Sequence, residues 1–437
     1  MSPEVVRRLS DEDLSILALE SDTVAGHTCK VIILAQRIEV ERLRASISAR
    51  IDRARPLQWR LAEVDGELCW ASDPELDLDA HVVARDDREP LDAAGLRAAL
   101  ADAFMRRLDR SRPLWRIELV PRLTQGGSAL IWSFHHALAD GSTMMEVAQA
   151  AVWDEIPGRD WHASAPSPVS VPEARSDRGA APRVSRRRLT GLRAAARETP
   201  HLWLRSPFDG HIDARRAVAL ASVDLRGMRR VARATDGATV NDAILTVVGG
   251  GLRAWLELHH GHLGSVRVKV PVSLHGIATP ENGPSELGNR DSFFCLDLPL
   301  DPADPLERLR AVREATRIRK ESHDAEQLDA FMRGLGRVPQ LRRFAERALT
   351  SPRSFAVNVS NVRGPKRPVQ VLGAEVKELY SLAEIREHHA LRIAVVSLGQ
   401  RLNFGLTADP TLLPDVDQLA DQIRADAAEL VARVQYA

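Results

Sequence analysis

Two adjacent histidines, His135 and His136, are the residues of this sequence whose type and spacing suggest catalysis. Asp140 follows the second histidine by four residues, and Gly141 comes directly after it. An imidazole titrates near neutral pH, so it can accept a proton from an alcohol or an amine. Asp140 and Gly141 also form a common turn sequence. The segment is therefore a candidate catalytic loop, and an ordinary turn after a buried strand is the alternative.

A predicted strand and a predicted helix position this loop. The strand covers Ala129–Phe134, and the helix begins near Ser142, a residue type that caps helices. If the strand reaches the two histidines, their side chains point to opposite faces of the sheet. Only one of the two imidazoles can then enter a given cavity.

Apolar periodicity predicts mixed helices and strands on both sides of the loop, and so an α/β fold. In the first part of the chain, the predicted strands are Lys30–Gln36 and Leu114–Val120, and the predicted helices are Glu41–Arg53 and Leu91–Leu108. In the second part, the predicted strands are Val266–Val272, Arg290–Leu298, Phe355–Val359 and Leu391–Leu398, and the predicted helices are Val240–Leu258, Pro305–Lys320 and one from Val416 to Val434.

The composition favours a folded cytoplasmic protein over a nucleic-acid-binding or membrane-spanning one. Of 437 residues, 60 are Lys or Arg and 60 are Asp or Glu, so no bulk charge attracts nucleic acid. The cysteines, Cys29, Cys69 and Cys295, form no paired pattern and suit a reducing compartment. The longest apolar run of the second half, Ala243–Leu252, is about half of the ~20 residues that a spanning helix needs. We predict a cytoplasmic location and no nucleic-acid partner.

A segment rich in proline and arginine divides the chain. Five prolines between Pro157 and Pro182 lie among small polar residues with almost no apolar periodicity, which is typical of a linker. We predict an N-terminal half at residues 1–155 that carries the histidines, a linker at 156–215 and a C-terminal half at 216–437.

The arginines from Arg183 to Arg197 make the end of this linker strongly basic, with Leu189 and Leu192 among them. A basic amphipathic helix can rest on the inner face of a membrane or on a lipid droplet. A solvated helix face is the alternative interpretation of the same charges.

The loop reads HHALADG, which matches the HHxxxDG motif of a superfamily of acyltransferases that includes chloramphenicol acetyltransferase-like enzymes and peptide-synthetase condensation domains. Beyond this motif, the chain resembles the bacterial wax ester synthase/diacylglycerol acyltransferase family from end to end. The further blocks, in the order of the family, are Leu9–Asp13 with Glu20 and His27, Pro113–Trp115, Asn241–Leu245, Val270–Leu274 with Leu287–Asn289, Ser360–Pro365, and Leu402–Asp409. Arg363 departs from the family, which more often has proline there.

The resemblance implies two chloramphenicol acetyltransferase-like halves with mixed sheets and an active-site tunnel between them. It implies that the catalytic set is His135, His136, Asp140 and Gly141, with His136 as general base, Asp140 holding the loop and Gly141 allowing its turn. The implied reaction moves a long-chain acyl group from acyl-CoA directly to diacylglycerol or to a long-chain alcohol, giving triacylglycerol or wax ester. Acyl-CoA is then a co-substrate, and we expect no further cofactor.

Asn241 and Asn361, from two of the family blocks, are candidate substrate-binding residues; helix capping and turn hydrogen bonding are the alternative roles. We predict no metal site, because the cluster His259–His262 lies at a predicted helix end with Gly261 as a typical cap. We expect Gly249–Gly251 to permit close helix packing, since the segment lacks nucleotide-loop spacing.

Two other functions stay open from the sequence. One is a condensation-like acyltransferase of specialised metabolism that takes its acyl group from a carrier protein. The other is a catalytically idle scaffold that binds lipid.

Overall fold

The computed structural model describes residues 5–73, 75–154, 206–273, 291–321 and 354–435. In chain order, the strands are β1 Val5–Arg8, β2 His27–Leu34, β3 Trp59–Val64, β4 Glu67–Ser72, β5 Val82–Ala84, β6 Trp115–Val120, β7 Ser128–His135, β8 Ala217–Asp224, β9 Ser265–Ser273, β10 Asp291–Pro299, β11 Val357–Val362, β12 Gln370–Val371, β13 Ala374–Ala383, β14 Leu391–Leu398 and β15 Arg401–Ala408. The helices are α1 Asp11–Leu17, α2 Val40–Ser48, α3 Leu78–His81, α4 Ala93–Met105, α5 Gly141–Ala151, α6 Leu225–Ala234, α7 Val240–His259, α8 Pro305–Glu321 and α9 Val416–Gln435.

The first large sheet carries the two histidines at the end of a central strand. Its strand order is β12-β13-β2-β7-β6-β5, with β5 parallel to β6 and the other neighbours antiparallel. Every residue of β2 and β7 is buried, and neither sequence alternates regularly between apolar and polar residues. The register places His27 opposite His135.

The second large sheet is also mixed, with the strand order β10-β9-β11-β14-β15-β8. Its strand β11 runs parallel to both β9 and β14, and the remaining pairs are antiparallel. Helices α7 and α9 pack against each other beside it. A Cβ on Gly250 would overlap the carboxylate of Asp426, and one on Gly251 would lie 2.6 Å from Ile423. Gly250 and Gly251 therefore permit close helix packing, as the sequence predicts, whereas a Cβ on Gly249 would make only ordinary contacts with Leu298 and Arg308.

Two strands from late in the chain, β12 and β13, complete the first sheet. Strand β13 pairs antiparallel with β2, with Leu379 opposite Ile32. The same strand contacts the second sheet, where the side-chain amide of Asn403 donates to the carbonyl oxygen of Leu379 at 2.9 Å. The predicted α/β fold of two halves with mixed sheets is confirmed. The structure adds that the sheet of the N-terminal half contains two strands from the C-terminal half, β12 and β13.

Each predicted element matches an observed one to within a few residues at its ends, with one exception, but strands β8 and β13 and helix α6 have no counterpart in the prediction. The predicted helix Glu41–Arg53 ends earlier, at Ser48, because Arg50 leaves helical geometry at φ −125°, and a short 3-10 turn covers Ile51–Arg53. A small third sheet, in the order β1-β4-β3, has no counterpart in the prediction. Within the described ranges, no helix combines the length and apolar character needed to cross a membrane.

Candidate active site

Strand β7 ends at the two histidines, and their side chains lie in different environments. His135 is its last residue and is buried, with only 1% of its surface exposed. His136 follows directly, is only partly buried, and lines a cavity of about 160 Å³. The backbone N–H of His136 donates to the carbonyl oxygen of Gly26 at 3.1 Å, which continues the pairing of the two strands by one residue. The expectation that one imidazole enters a cavity and the other does not agrees with this geometry.

His135 is fixed by contacts at both of its ring nitrogens. Its Nδ1 accepts a hydrogen bond from the backbone N–H of Ala137 at 3.1 Å, so its proton resides on Nε2 in the neutral ring. Nε2 lies 2.8 Å from the Glu20 carboxylate, which also pairs with Arg110 at 3.0 Å. Burial alone would raise the pKa of Glu20, but hydrogen bonds from His135 and Arg110 hold it below its usual value. His135 is thus held by an ionised carboxylate.

Gly26 is required for this arrangement. Its φ is +74°, in the left-handed region that favours glycine. A Cβ at this position would lie 2.5 Å from His135 Nε2 and 2.9 Å from Glu20 Cγ. Any other residue would therefore push the imidazole and the carboxylate apart.

His136 is unprotonated at neutral pH. Burial, and after it the positive charge of Arg392, lowers the pKa of His136 to about 4. Its imidazole borders a second cavity of about 20 Å³ as well as the larger one. A neutral imidazole between two cavities can accept a proton from a group that enters either of them.

Asp140 and Gly141 shape the loop rather than line the cavity. The Asp140 carboxylate is buried and caps helix α5, accepting from the backbone N–H of Thr143 at 2.7 Å. Burial lowers the pKa of Lys30 to about 8, and attraction to Asp140 acts against this shift. Gly141 does not have the positive φ that a special turn would need. Its small size matters instead, since a Cβ there would lie 3.0 Å from Val362.

The structure brings Asn241 and Asn361 together, but not into the cavity. The Asn361 amide donates to the side-chain oxygen of Asn241 at 3.4 Å, and Asn361 is exposed. The neighbouring Asp242 forms a capping box with Thr239 at the start of α7. Asn358, three residues before Asn361 on β11, does line the cavity with His136.

Several polar residues around His136 were not predicted from the sequence. They come from β9, β11, the turn between β13 and β14, and the start of β14, and they are Lys269, Asn358, Glu384, Arg386, His389 and Arg392. The second histidine doublet, His388-His389, lacks the Asp-Gly that follows the first, yet His389 lines the cavity and stacks on Phe355 at a ring distance of 4.2 Å. The available signal was the charged segment from Glu384 to His389 between two apolar strands.

Two histidines of the cluster His259–His262 pair with separate carboxylates. His259 lies 2.8 Å from Asp415, and His262 lies 2.8 Å from Asp301, so the two imidazoles have different partners. Gly261 has a φ of +84°, as expected after a helix end. The basic segment Arg183–Arg197 lies outside the described residues.

Solved structures with this architecture include a wax ester synthase/diacylglycerol acyltransferase and a condensation domain. The wax ester synthase/diacylglycerol acyltransferase from Marinobacter aquaeolei VT8 is similar over 100% of both chains, with a TM-score of 0.69 and 22% identity. The starter condensation domain of rhizomide synthetase is similar over 98% of this chain and 94% of its own, with a TM-score of 0.59 and 15% identity. These likenesses define the class of fold.

Sequence comparison identifies the family. The family described as wax ester synthase/diacylglycerol acyltransferase catalytic domain matches residues 9–244, and the WS/DGAT C-terminal domain matches residues 287–430. A Mycobacterium bovis protein named as a diacylglycerol O-acyltransferase is 30% identical, over 90% of this chain and 84% of its own. A Mycobacterium tuberculosis protein of the same name is 29% identical, over 89% and 88%. The chain belongs to the wax ester synthase/diacylglycerol acyltransferase family and is an acyltransferase.

Proposed function

We propose that this acyltransferase moves a long-chain acyl group from acyl-CoA to the hydroxyl of diacylglycerol or of a long-chain alcohol, with His136 as general base. The observation that carries the proposal is that the two adjacent histidines, His135 and His136, lie in different environments. His135 is held by Glu20 and Ala137, whereas His136 borders the cavities. Of these two histidines, His136 is the one positioned to meet a substrate hydroxyl.

In this mechanism, His136 takes up one proton and gives it back within each reaction. His136 removes the hydroxyl proton as the alcohol oxygen attacks the thioester carbonyl, and the tetrahedral intermediate then expels the CoA thiolate. The imidazolium returns its proton to that thiolate. The low pKa of His136 makes the second transfer favourable, because a more acidic imidazolium gives up its proton more readily. General-base catalysis contributes roughly 10²- to 10⁴-fold, and holding both substrates in line supplies much of the rest.

Direct transfer is the simplest route for the acyl group. An acyl-enzyme would need an activated nucleophile beside a base. Cys29 hydrogen-bonds Ser133 at 3.1 Å, and burial raises the pKa of its thiol to about 12. Cys69 and Cys295 are also buried, and none of the three cysteines is among the described residues lining the cavity.

Two substrates would approach His136 from different sides under this proposal. A drug-sized ligand site usually measures about 300–1,000 Å³, whereas the cavity at His136 measures about 160 Å³. This volume suits the reacting ends of the substrates rather than their whole chains. A tunnel between the halves, with acyl-CoA entering one side and the alcohol the other, would hold the rest. Asn241 and Asn361 are proposed to contact substrate outside the cavity.

The basic segment Arg183–Arg197 is proposed to hold the enzyme on an anionic membrane or lipid droplet, where its water-insoluble products would collect. Replacing its arginines by glutamine should weaken sedimentation with anionic liposomes and leave turnover of dispersed substrate intact. Unchanged sedimentation would remove this part of the proposal.

Acceptor-dependent release of CoA tests the proposed reaction. Palmitoyl-CoA is offered with diacylglycerol, with hexadecanol and with no acceptor, and the products are identified by mass spectrometry. We expect release only with an acceptor, and the preferred acceptor identifies the product. Transfer from an acyl carrier protein but not from palmitoyl-CoA would favour the condensation-like alternative. Binding of palmitoyl-CoA with no transfer to any acceptor would favour the lipid-binding scaffold.

A further inference from the structure

Two histidines and a glutamate meet where the turn between β13 and β14 contacts the segment before β8. The side chains of His211, Glu387 and His388 each offer one possible metal-ligand atom, and these atoms lie within 4.8 Å of one another. His211 comes from the segment before β8 and the other two come from the turn, so residues 176 positions apart meet here. Imidazole nitrogens and carboxylate oxygens are common ligands of zinc in proteins.

Hydrogen bonds hold the members of this cluster close together. His211 Nδ1 lies 2.5 Å from the Glu387 carboxylate, and His388 Nδ1 lies 2.8 Å from the Asp209 carboxylate. The ring centroids of His211 and His388 lie 5.0 Å apart. The backbone N–H of His388 also donates to the carbonyl oxygen of Gly210 at 3.1 Å. The main chain therefore fixes the segment against the turn, and the side chains do not meet by rotation alone.

Asp209 is placed to support a metal-binding histidine. A metal-binding imidazole usually donates its other ring N–H to a carboxylate or carbonyl oxygen, which orients the ring and makes the binding nitrogen more basic. When His388 Nδ1 donates to Asp209, Nε2 is the nitrogen of His388 that can bind a metal ion. The pair Asp209–His388 therefore has the arrangement that orients a metal ligand.

The backbone of the turn separates its two adjacent histidines. His388 has a φ of +65°, in the left-handed region that is uncommon for residues other than glycine. His388 pairs with Asp209 on the exposed side of the turn, whereas His389 lines the cavity that contains His136. A metal ion on His388 would thus be bound one residue away from the cavity wall.

Small movements of exposed side chains would complete a zinc site. In a tetrahedral site with bonds of ~2.0–2.2 Å, neighbouring ligand atoms lie roughly 3.3–3.6 Å apart. His211 and Glu387 are now closer than this, and the limit of 4.8 Å for the whole cluster is wider. The side chains of His211 and Glu387 are 89% and 41% exposed, so both can rotate. Water would complete the coordination.

We propose that His211, Glu387 and His388 bind one Zn²⁺ ion, with Asp209 orienting His388. Imidazole ligands favour a transition metal over Mg²⁺ or Ca²⁺, which prefer oxygen ligands. The ion joins the segment before β8 to the turn that lines the cavity beside His136, and so stabilises the cavity wall. A site here departs from the prediction, made from the sequence, that the chain has no metal site. It is independent of the proposed reaction.

Zinc titration of the full chain tests the inference. Protein without an affinity tag is treated with a chelator, dialysed and titrated with Zn²⁺ by calorimetry, and we expect one equivalent to bind. Free Zn²⁺ at about 100-fold above its Kd should raise the melting temperature by roughly 3 °C, whereas the same concentration of Mg²⁺ should not. No binding of Zn²⁺ at up to about 1 mM would show that the cluster only forms hydrogen bonds, and would overturn the inference.

Variants assign the bound ion to the cluster. His211→Gln and His388→Asn should each weaken Zn²⁺ binding by at least ~10-fold, and Asp209→Asn by roughly 10- to 100-fold. Asparagine is the replacement at position 388 because it adopts the left-handed region readily. His262→Gln is the matched control and should keep wild-type affinity, because His262 is an exposed histidine that pairs with Asp301 outside the cluster.

The exposed ligand gives the decisive result. His211 is 89% exposed, so its replacement should leave the fold intact even if His388→Asn does not fold. Wild-type affinity in His211→Gln would place the ion elsewhere on the chain and overturn the inference. Loss of binding in His262→Gln alone would also overturn it, and would place the ion at the end of helix α7.

Discussion

At the scale of single residues, the catalytic loop depends on two imidazoles with opposite environments. Strand geometry predicts that His135 and His136 diverge, and the structure agrees with it. Sequence could not predict that Glu20 holds His135, because the two are far apart in the chain and meet only when β2 and β7 pair. The cations around His136 were missed for the same reason, since they come from three later elements.

The pH dependence of turnover follows from the environment of His136. Burial and Arg392 lower its pKa to about 4, so the base stays unprotonated as pH falls through 6.5, the ordinary histidine value. We expect kcat/KM to hold from about pH 7 to about pH 5 and then to fall as His136 takes up a proton. Initial rates across this range, with circular dichroism to confirm folding at each pH, measure the profile. An inflection near 6.5 would contradict this account of the base.

A methyl group at position 26 should disable the loop without touching His136. Gly26→Ala places a Cβ 2.5 Å from His135 Nε2 and forces a left-handed alanine. We expect at least a ~10-fold loss of kcat and a stability loss of roughly 1–3 kcal/mol. Gly66→Ala is the control, because its φ is +77° but no atom lies within 4 Å of the added Cβ. Equal kcat in the two variants would show that the contact with His135 is unimportant.

At the scale of elements, a helix cap fixes the loop after the histidines. Asp140→Ala removes the acceptor for the Thr143 N–H, and loss of such a cap costs about 1–2 kcal/mol of unfolding free energy. Asp140→Asn keeps a capping oxygen but removes the charge near Lys30. We expect chemical denaturation to show a larger loss for Ala than for Asn. If Asn is as destabilising as Ala, the charge rather than the cap holds the loop.

Elements with strong local periodicity were predictable, and those defined by distant pairing were not. Helix α7 was predicted as Val240–Leu258 and spans Val240–His259, and β14 was predicted without error. Strand β13, in contrast, was not predicted, although five of its ten residues form a buried run at its end. Its alternation is broken, because residues 376–383 pair with the buried strand β2 and the strand also packs on the second sheet.

At the scale of the whole molecule, the two halves share a sheet and should not fold separately. Residues 1–155 alone would lack β12 and β13, which leaves the edge of the buried strand β2 unpaired. We expect this fragment to aggregate or to unfold without a cooperative transition, unlike the full chain. A soluble monomeric fragment with a sharp thermal transition would contradict the claim that β13 stabilises the first sheet.

The division of the chain into halves that end at residue 155 and begin at residue 216 stays a prediction. Composition detects the proline-rich segment between the halves, because it lacks apolar periodicity. Composition does not indicate which strands from late in the chain pair with the first sheet. That topology depends on the sum of non-local contacts, and the family resemblance, rather than periodicity, was the source of the two-half architecture.

The most direct test of the central claim is the rate of acyl transfer by His136→Ala. We expect kcat/KM with palmitoyl-CoA and the preferred acceptor to fall roughly 10²- to 10⁴-fold, with the melting temperature close to that of the wild type. His260→Ala, an exposed histidine at the end of helix α7, is the matched control and should keep wild-type activity. Wild-type turnover by a folded His136→Ala enzyme would contradict the assignment of His136 as the general base.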